Sequence, residues 1–252
     1  MATTRELMNK VLREIRQFAL ILAPGTTSTD DDYLLMILQF LNQAKEEVEE
    51  AGWSWQALRQ TVTLTIAAGT IEYDLTIAGD ADVDTNDRAR LLYDNATIFG
   101  RIEGFYNSTS SLPMVFDVTD ASEHRLREVT QERMERWHFT DDDQTGIPTS
   151  FTIYSDGDSL RVKIYPTPSD ARTIKLRLYI PQTELLSTSL EATSLSIPQR
   201  PVWTLAAFKA NQERGDELGK EGSALHRAYL DAHGAAAGKE MTPADLTVNL
   251  ER

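Results

Sequence analysis

The sequence predicts an α+β fold in which helices from both ends of the chain form one domain, and an antiparallel β-sandwich or barrel-like domain is inserted between them. Apolar residues recur at helical spacing in the first 50 residues, at two-residue spacing in the middle, and again at helical spacing after Pro198. We therefore predict an N-terminal helical hairpin at 1–58 and a β domain with one short helix at 59–197. Further helices at 198–233 complete the helical domain, and an extended tail follows at 234–252.

Two amphipathic helices are expected at the N-terminus. The first has one apolar stripe at i, i+4, i+8, i+11 and i+15, formed by Leu7, Val11, Ile15, Phe18 and Leu22. Thr3 or Thr4 can cap its start, and Pro24-Gly25 would end it. The second begins after the capping stretch 28–32, and its stripe comprises Leu34, Leu35, Leu38, Leu41, Ala44 and Val48. A short loop between two such helices predicts a hairpin.

The middle of the chain reads as short strands. Apolar residues alternate with threonines at 61–66, and a second alternating run at 71–75 follows the turn Ala68-Gly69-Thr70, which predicts a β-hairpin. Further strands are expected at 98–106, 114–118, 151–153, 160–164 and 174–180, with a helix at 130–137. Many short strands separated by Gly, Pro and Asp turns favour a sandwich or barrel.

The C-terminal part returns to helical spacing from Val202 to about Leu218, and again from Ala224 to Ala232. From Gly234 the chain is rich in Gly, Ala and Thr and carries isolated apolar residues. Such a segment cannot bury much of its own surface, so we expect it to need a partner in order to become ordered.

Charge and composition restrict the function. The net charge is −14, and an acidic surface repels the phosphates of nucleic acid, although it also suits a channel wall along which DNA slides. The sequence has no cysteine, which excludes disulfides, thiolate chemistry and Cys-ligated zinc. No stretch is apolar for long enough to span a membrane. We expect a soluble protein that is made in the cytoplasm.

No catalytic, cofactor or metal site is predicted. The sequence lacks the glycine-rich phosphate loop, the nucleophile elbow and the H-E-x-x-H zinc motif. Alternate carboxylates at Asp80–Asp87 suit calcium, but Thr85 replaces the glycine of the calcium loop and Leu91 its final glutamate, so a solvated acidic loop is expected. His226 and His233 could share a helix face; we expect that face to be solvated rather than to hold a metal.

Three stretches resemble the head-to-tail adaptor, or connector, proteins of short-tailed bacteriophages. The first joins MNKVLREI at 8–15 to AGWSW at 51–55, and the second joins TVTLTI at 61–66 to IEYDL at 71–75. The third runs through GIPTSFTI at 146–153, LRVKIYPTP at 160–168, LRLYIP at 176–181 and LSIP at 195–198. The acidic insert at 79–90 and the tail after Gly219 depart from the family.

The resemblance implies a structural virion protein that is not an enzyme and has no cofactor. Such proteins form a ring, commonly a dodecamer, below the portal protein ring; the ring joins the tail nozzle or tail fibre proteins, and genomic DNA passes through its centre. The partners implied are therefore portal, tail proteins and further copies of the chain, with no membrane. For the portal contact the tail residues expected are Met241, Pro243, Leu246, Val248 and Leu250.

Two other functions remain open. A carbohydrate- or ligand-binding β-sandwich would place aromatic side chains on one exposed face, whereas the tyrosines of the middle segment interleave with apolar residues, which favours packing. These tyrosines are Tyr73, Tyr154, Tyr165 and Tyr179. An acid-using hydrolase would need a deep pocket with converging carboxylates, and none of the 39 acidic residues stands out for that role.

Overall fold

The chain folds into two compact units, which we call the helical unit and the β unit. The computed structural model describes residues 2–51, 55–75, 89–94, 112–120, 123–140, 144–156, 159–214 and 220–240. The helical unit comprises Met1–Leu58 and Gln182–Arg252, and the β unit comprises Arg59–Pro181. Helices and mostly antiparallel strands are both present, which confirms the α+β class.

The helices are α1 (Thr4–Glu14), α2 (Asp32–Glu50), α3 (Gln131–Thr140), α4 (Gln199–Glu213) and α5 (Lys220–Glu240). The longer strands are β1 (Arg59–Ile66), β2 (Glu72–Asp74), β6 (Val115–Asp117), β10 (Ser150–Asp156), β11 (Ser159–Tyr165) and β13 (Arg172–Tyr179). The two-residue strands are β3 (Arg90–Leu91), β4 (Tyr93–Asp94), β5 (Leu112–Pro113), β7 (His124–Arg125), β8 (Arg127–Glu128), β9 (Thr145–Gly146) and β12 (Thr167–Pro168).

Helix α1 is shorter than its apolar stripe predicts. Thr3 and Glu6 form a capping box at its start. At its end, Arg16 adopts a left-handed φ of 61°, its N–H bonds to Arg13 O, and Gln17 N–H bonds to Leu12 O at 2.8 Å. This pair of hydrogen bonds is the Schellman helix stop, so the prediction that the helix continues to residue 23 was wrong.

Three side-chain amides fix loops of the helical unit through hydrogen bonds to backbone N–H and C=O groups. Asn9 bonds both the N–H and the C=O of Leu22, and Asn42 bonds both groups of Leu185, at 2.8–3.0 Å. Gln182 accepts from Ser196 N–H and donates to the carbonyl of Ser194. Because such backbone groups must find partners when they leave water, Asn9 and Asn42 hold two loops to α1 and α2, and Gln182 holds one loop segment to another.

Residues 182–197 belong to the helical unit, although the sequence predicts them in the β domain. The reason lies in their partners: Asn42 of α2 binds Leu185, and Thr4 N–H of α1 binds Thr193 O at 3.1 Å. Burial along this segment is irregular, so no two-residue or helical period assigns it to one unit.

Helix α5 continues to Glu240, so the extended tail predicted from residue 234 begins too early. Three alanines follow Gly234, and alanine is the strongest helix former, which compensates for the two glycines of this stretch. Ala237 is also buried, so packing against the rest of the unit supports the last turns. Helix α4 packs against α1, α2 and α5.

The β unit contains two main sheets over one core. One has the order β1-β13-β6-β7, with β3 also paired to β13, and the other has the order β2-β11-β10-β8. All their pairs are antiparallel except β8 with β10. The shared core includes Val62, Leu64, Tyr73, Phe151, Val162, Ile164, Ile174 and Leu176.

Strands β1 and β2 do not form the predicted hairpin. β1 pairs with β13 and β2 pairs with β11, so the turn at Gly69 carries the chain from one sheet to the other. Gly69 has a φ of 76°, which suits glycine, and the Tyr73 hydroxyl bonds Ala67 and Thr70 across the turn. Each strand then places its alternate apolar residues in the common core.

Candidate functional site

Exposed large apolar side chains mark the candidate interaction surfaces. Those in the described part of the chain are Phe18, Leu35, Leu186 and Leu230 in the helical unit, and Phe139 and Ile147 in the β unit. Phe139 is 90% exposed and Phe18 is 64% exposed. A single exposed apolar residue is ordinary, whereas exposed aromatics and paired leucines favour protein–protein contact.

Two of these leucines lie in an open groove of the helical unit, which we call the leucine groove. It has a volume of about 450 Å³ and is lined by α2 on one side and by residues 184–187 on the other. The α2 side presents residues at i, i+4, i+7 and i+11, which share one helix face: Leu35, Gln39, Asn42 and Glu46. Leu186 faces them, and Glu184 joins Glu46 in giving the groove acidic groups.

Buried charges hold the second wall of the groove to α2. Lys45 and Glu49, one helical turn apart, are both fully buried. The ammonium of Lys45 donates to the carbonyls of Gln182 and Thr183, and the carboxylate of Glu49 accepts from Gln182 N–H at 3.1 Å. A buried charge is tolerated only when it is hydrogen-bonded, so these contacts tie the position of 182–185 closely to the helix. The groove is thus a fixed feature of the unit.

Phe18 projects from a second place on the helical unit. It begins a 3₁₀ turn, Phe18–Leu20, directly after the helix stop at Arg16. Arg13 and Arg16, which precede it in the chain, are exposed, and Arg214 donates to the carbonyl of Ile15 at 3.0 Å, which attaches this corner to the end of α4. The result is a largely exposed aromatic side chain at the corner where α1 ends.

Aromatic and histidine side chains form a continuous row along α5. The ring centroids of Trp55 and His233 are 5.9 Å apart in an edge-to-face contact, and those of Tyr229 and His233 are 5.8 Å apart. The ring of His226 lies between those of Tyr229 and Phe208. Trp55 donates its indole N–H to Val48 O at 2.8 Å. This row packs α5 against α4 and the end of α2, so the expectation that His226 and His233 share a solvated face is wrong for His233.

Burial changes the titration of two members of this row. His233 Nε2 is buried without a hydrogen-bond partner among the described residues, and burial lowers the pKa of its imidazole. Burial, with a smaller contribution from Glu47, raises the pKa of the Tyr229 phenol. Both shifts follow from packing. Among the described residues no group of three or more His, Asp or Glu is arranged to hold a metal ion.

In the β unit most of the tyrosines pack inside. Tyr73, Tyr165 and Tyr179 are buried and Tyr154 is half-buried, so they do not form the exposed aromatic face that a sugar-binding sandwich would present. On α3, the ring of Trp137 packs against that of Tyr165, with their centroids 4.9 Å apart. Phe139 is the aromatic residue of this helix that projects into solvent.

The five tail residues predicted for the portal contact lie outside the described residues, as does the acidic loop Asp80–Asp87. Within the parts of the chain that are described, no helix is both long and apolar enough to cross a bilayer. The surfaces that the structure adds are the leucine groove and the Phe18 corner. Sequence reasoning missed them because Leu35 and Phe18 both fit the apolar stripes of buried helix faces.

Comparison with known proteins decides the family. The model of the SU10 adaptor protein family matches residues 2–246, which span both units. The chain belongs to this family. SU10 adaptor proteins are structural components of bacteriophage particles, which agrees with the head-to-tail adaptor resemblance of the sequence. An adaptor role implies association with portal and tail proteins and points to a structural rather than an enzymatic protein. The curated proteins include no significant match.

Proposed function

We propose that this adaptor forms a ring between portal and tail, with the genome passing through its centre. The observation that carries the proposal is the adaptor family match over residues 2–246, which includes both units. Exposed apolar side chains on each unit support it, because Phe18, Leu186 and Phe139 offer a partner apolar surface to bury. The copy number is proposed to be twelve by analogy with the connector proteins.

Each of the two units has its own partners in this proposal. The helical unit meets neighbouring copies, and the β unit, which projects Phe139 and Ile147, meets the tail nozzle or tail fibres. Residues 241–252 bind the portal protein ring, because Met241, Pro243, Leu246, Val248 and Leu250 give an otherwise polar segment apolar side chains to bury. The whole assembles from chains made in the host cytoplasm.

A portal-binding experiment tests the tail contact. The full-length chain is compared with a chain that ends at Glu240, where α5 ends, so that the helix stays intact. A double variant, Leu246→Asp and Leu250→Asp, replaces two of the apolar side chains. The control is the double variant Thr247→Asp and Asn249→Asp, which adds the same charge at neighbouring polar positions. Co-sedimentation with portal rings of the same phage should be lost in the truncation and the leucine variant, and retained in the control.

Different results refute different parts of the proposal. Equal binding by the truncated and full-length chains would remove the tail contact. Failure of the full-length chain to bind portal rings, with no rings in electron micrographs of the mixture, would remove the adaptor ring itself.

The acidic charge of the chain supports DNA as a passing neighbour. A net charge of −14 leaves little cationic surface to displace counterions from a duplex. We expect no retention of duplex DNA by the purified protein in a gel-shift assay at low salt. Retention that weakens steeply with added salt would contradict this, since it would reveal a phosphate-binding surface.

A further inference from the structure

We propose that the outward face of one β-sheet binds an acidic segment, residues 80–84, of a second copy of this chain. This inference rests on the proposed ring and adds to it a contact between the β units of neighbouring copies. The sheet has the order β1-β13-β6-β7, with β3 also paired to β13. Its inward face packs on the core of the β unit, and most side chains of its outward face are exposed.

The register of the strands collects positive charge on this outward face. Alternate residues of β13 point outward, and two of them, Lys175 and Arg177, are exposed cations. Residues that pair across antiparallel strands share a face of the sheet. Lys175 therefore lies between Thr63 of β1 and Phe116 of β6. Arg177 lies beside Thr61 of β1.

The described strands of this sheet carry cations but no carboxylate at their outward positions. We call this surface the cationic face; its charged residues are Arg59, Arg90, Arg125, Lys175 and Arg177. The guanidinium carbon of Arg125 lies 5.0 Å from the ring centroid of Phe116, and that of Arg90 lies 4.4 Å from the ring centroid of Tyr179. In a chain with a net charge of −14, such a face is a local exception.

Two of these cations, Lys175 and Arg177, have side chains without an ion-pair partner among the residues that the structure describes. Arg59, Arg90 and Arg125 already have contacts within the chain, so they contribute charge to the face and nothing more is asked of them. Lys175 and Arg177 can therefore bind carboxylates of another chain without breaking an existing ion pair.

The segment 80–84 complements these two cations in spacing as well as in charge. It reads Asp80-Ala-Asp82-Val-Asp84, and alternate residues of an extended backbone lie on one side of it, about 6.6 Å apart. Lys175 and Arg177 are two residues apart on β13, so their stems are also separated by about 6.6 Å. One extended segment can thus place a carboxylate opposite each cation.

The charge balance of the chain favours a second copy as the partner. A closed ring joins two different patches of identical chains. Copies that each carry a charge of −14 repel one another unless a cationic patch of one meets an acidic patch of the next. The cationic face supplies the first patch, and residues 80–84, with three carboxylates and no lysine or arginine, supply the second.

Carbodiimide coupling tests the contact directly, because it joins an ammonium and a carboxylate that touch through an amide bond. Isotope-labelled and unlabelled chains are mixed in equal amounts, alone at high concentration and on portal rings, and the linked peptides are identified by mass spectrometry. We expect Lys175 to be joined to Asp80, Asp82 or Asp84 in peptide pairs of mixed label. Lys175→Arg is the control, because it keeps the charge but has no amine to couple.

Two results of this experiment would overturn the assignment. One is a link of Lys175 to these aspartates in which both peptides always carry the same label, since the contact then lies within one chain. The other is a link of Lys175 to carboxylates elsewhere in the sequence.

Charge reversal measures how much the contact contributes to self-association. Lys175→Glu with Arg177→Glu should weaken self-association at least about tenfold. Adding Asp82→Lys and Asp84→Lys to the same chain should restore it, because the charges of both partners are then exchanged. Sedimentation velocity over a concentration series measures both effects. Unchanged self-association of the first variant would contradict the contact.

Two controls separate this effect from net charge and from folding. Arg127→Glu with Arg136→Glu reverses two other exposed cations of the β unit and should leave self-association unchanged. The wild-type chain provides a test that needs no variant: its self-association should weaken as added salt shortens the Debye length from about 30 Å to about 3 Å. Self-association that stays constant over this range would also contradict the contact.

The outcomes distinguish this contact from the ring itself. If the wild-type chain forms rings on portal but Lys175 is not linked to another copy, the assigned surfaces are wrong and the ring proposal stands. If the wild-type chain stays monomeric both alone and with portal rings, the ring and the contact fail together. Retention of duplex DNA that is lost in Lys175→Glu with Arg177→Glu would assign the face to phosphate and overturn the protein contact.

Discussion

Removing the amide of Asn42 should destabilise the helical unit by about 2 kcal/mol. This side chain donates to Leu185 O at 3.0 Å and accepts from Leu185 N–H at 2.8 Å, and Leu185 is only 1% exposed. Asn42→Ala removes two hydrogen bonds with a net value of about 1 kcal/mol each, and the total rises toward about 4 kcal/mol if water cannot reach the orphaned backbone groups. The wall of the leucine groove should loosen as a result.

Asn42→Asp adds a pH test to the same position. An ionised carboxylate can accept from Leu185 N–H but faces the carbonyl oxygen with a second acceptor, whereas the protonated acid can donate to it. The pKa of the new aspartate should therefore be raised in the folded state. Its stabilising hydrogen bond is fully present below the unfolded pKa of about 3.9 and is lost as the pH rises through the folded pKa.

Urea unfolding between pH 3 and 8 measures both variants, and hydrogen exchange of the α2 amides assigns the effect to the helical unit. Gln39→Ala and Gln39→Glu are the controls, because Gln39 is exposed on the same helix face and the substitutions match in size and charge. A difference of less than about 0.5 kcal/mol between the free energies of unfolding of Asn42→Ala and Gln39→Ala would contradict this prediction. Equal changes in stability of Asn42→Asp and Gln39→Glu on lowering the pH would contradict the predicted pKa of the new aspartate.

Three other changes test the packing of the two units. Burial would raise the pKa of Asp117, but hydrogen bonds from Thr119 and the guanidinium of Arg172 lower it overall. The contribution of this carboxylate to stability is therefore present above the unfolded pKa of about 3.9 and is lost as the pH falls through the folded pKa. Asp117→Asn should cost about 3 kcal/mol at pH 7 and flatten the acid limb of a urea stability profile. Burial lowers the pKa of His233, so stability should fall as the pH drops below about 6.5, and His233→Phe should remove that dependence in calorimetry. Tyr73→Phe should cost about 1–2 kcal/mol in urea unfolding, because its hydroxyl bonds three backbone groups of the Gly69 turn; an unchanged midpoint would contradict this.

The end of α1 shows why apolar spacing alone misplaced a helix boundary. Phe18 and Leu22 continue the stripe of Leu7 and Val11, so the sequence predicts a helix to residue 23. In the structure Asn9 binds Leu22 through its amide, which is possible only because the chain has already left the helix at Arg16. A left-handed residue that is not glycine leaves no recognisable signal in the sequence.

The candidate site was predictable only in part. The tail residues proposed for portal binding come from composition, and their prediction stays untested. The leucine groove could not be found, because Leu35 looks like a core residue until the position of residues 184–187 is known. One signal was available: Leu34 and Leu35 are adjacent, and two neighbouring residues on a helix cannot both face the centre of one buried stripe.

The sequence by itself determined the α+β class, the element types and the resemblance to adaptors, because periodicity reports how each segment is buried and composition limits its chemistry. Tertiary structure alone decided that β1 pairs with β13 rather than β2, and that residues 182–197 join the helices. These choices depend on contacts between residues far apart in the chain, such as Asn42 and Leu185, which are 143 positions apart. Local periodicity indicates that a side chain is buried, but it does not indicate which distant segment of the chain packs against it.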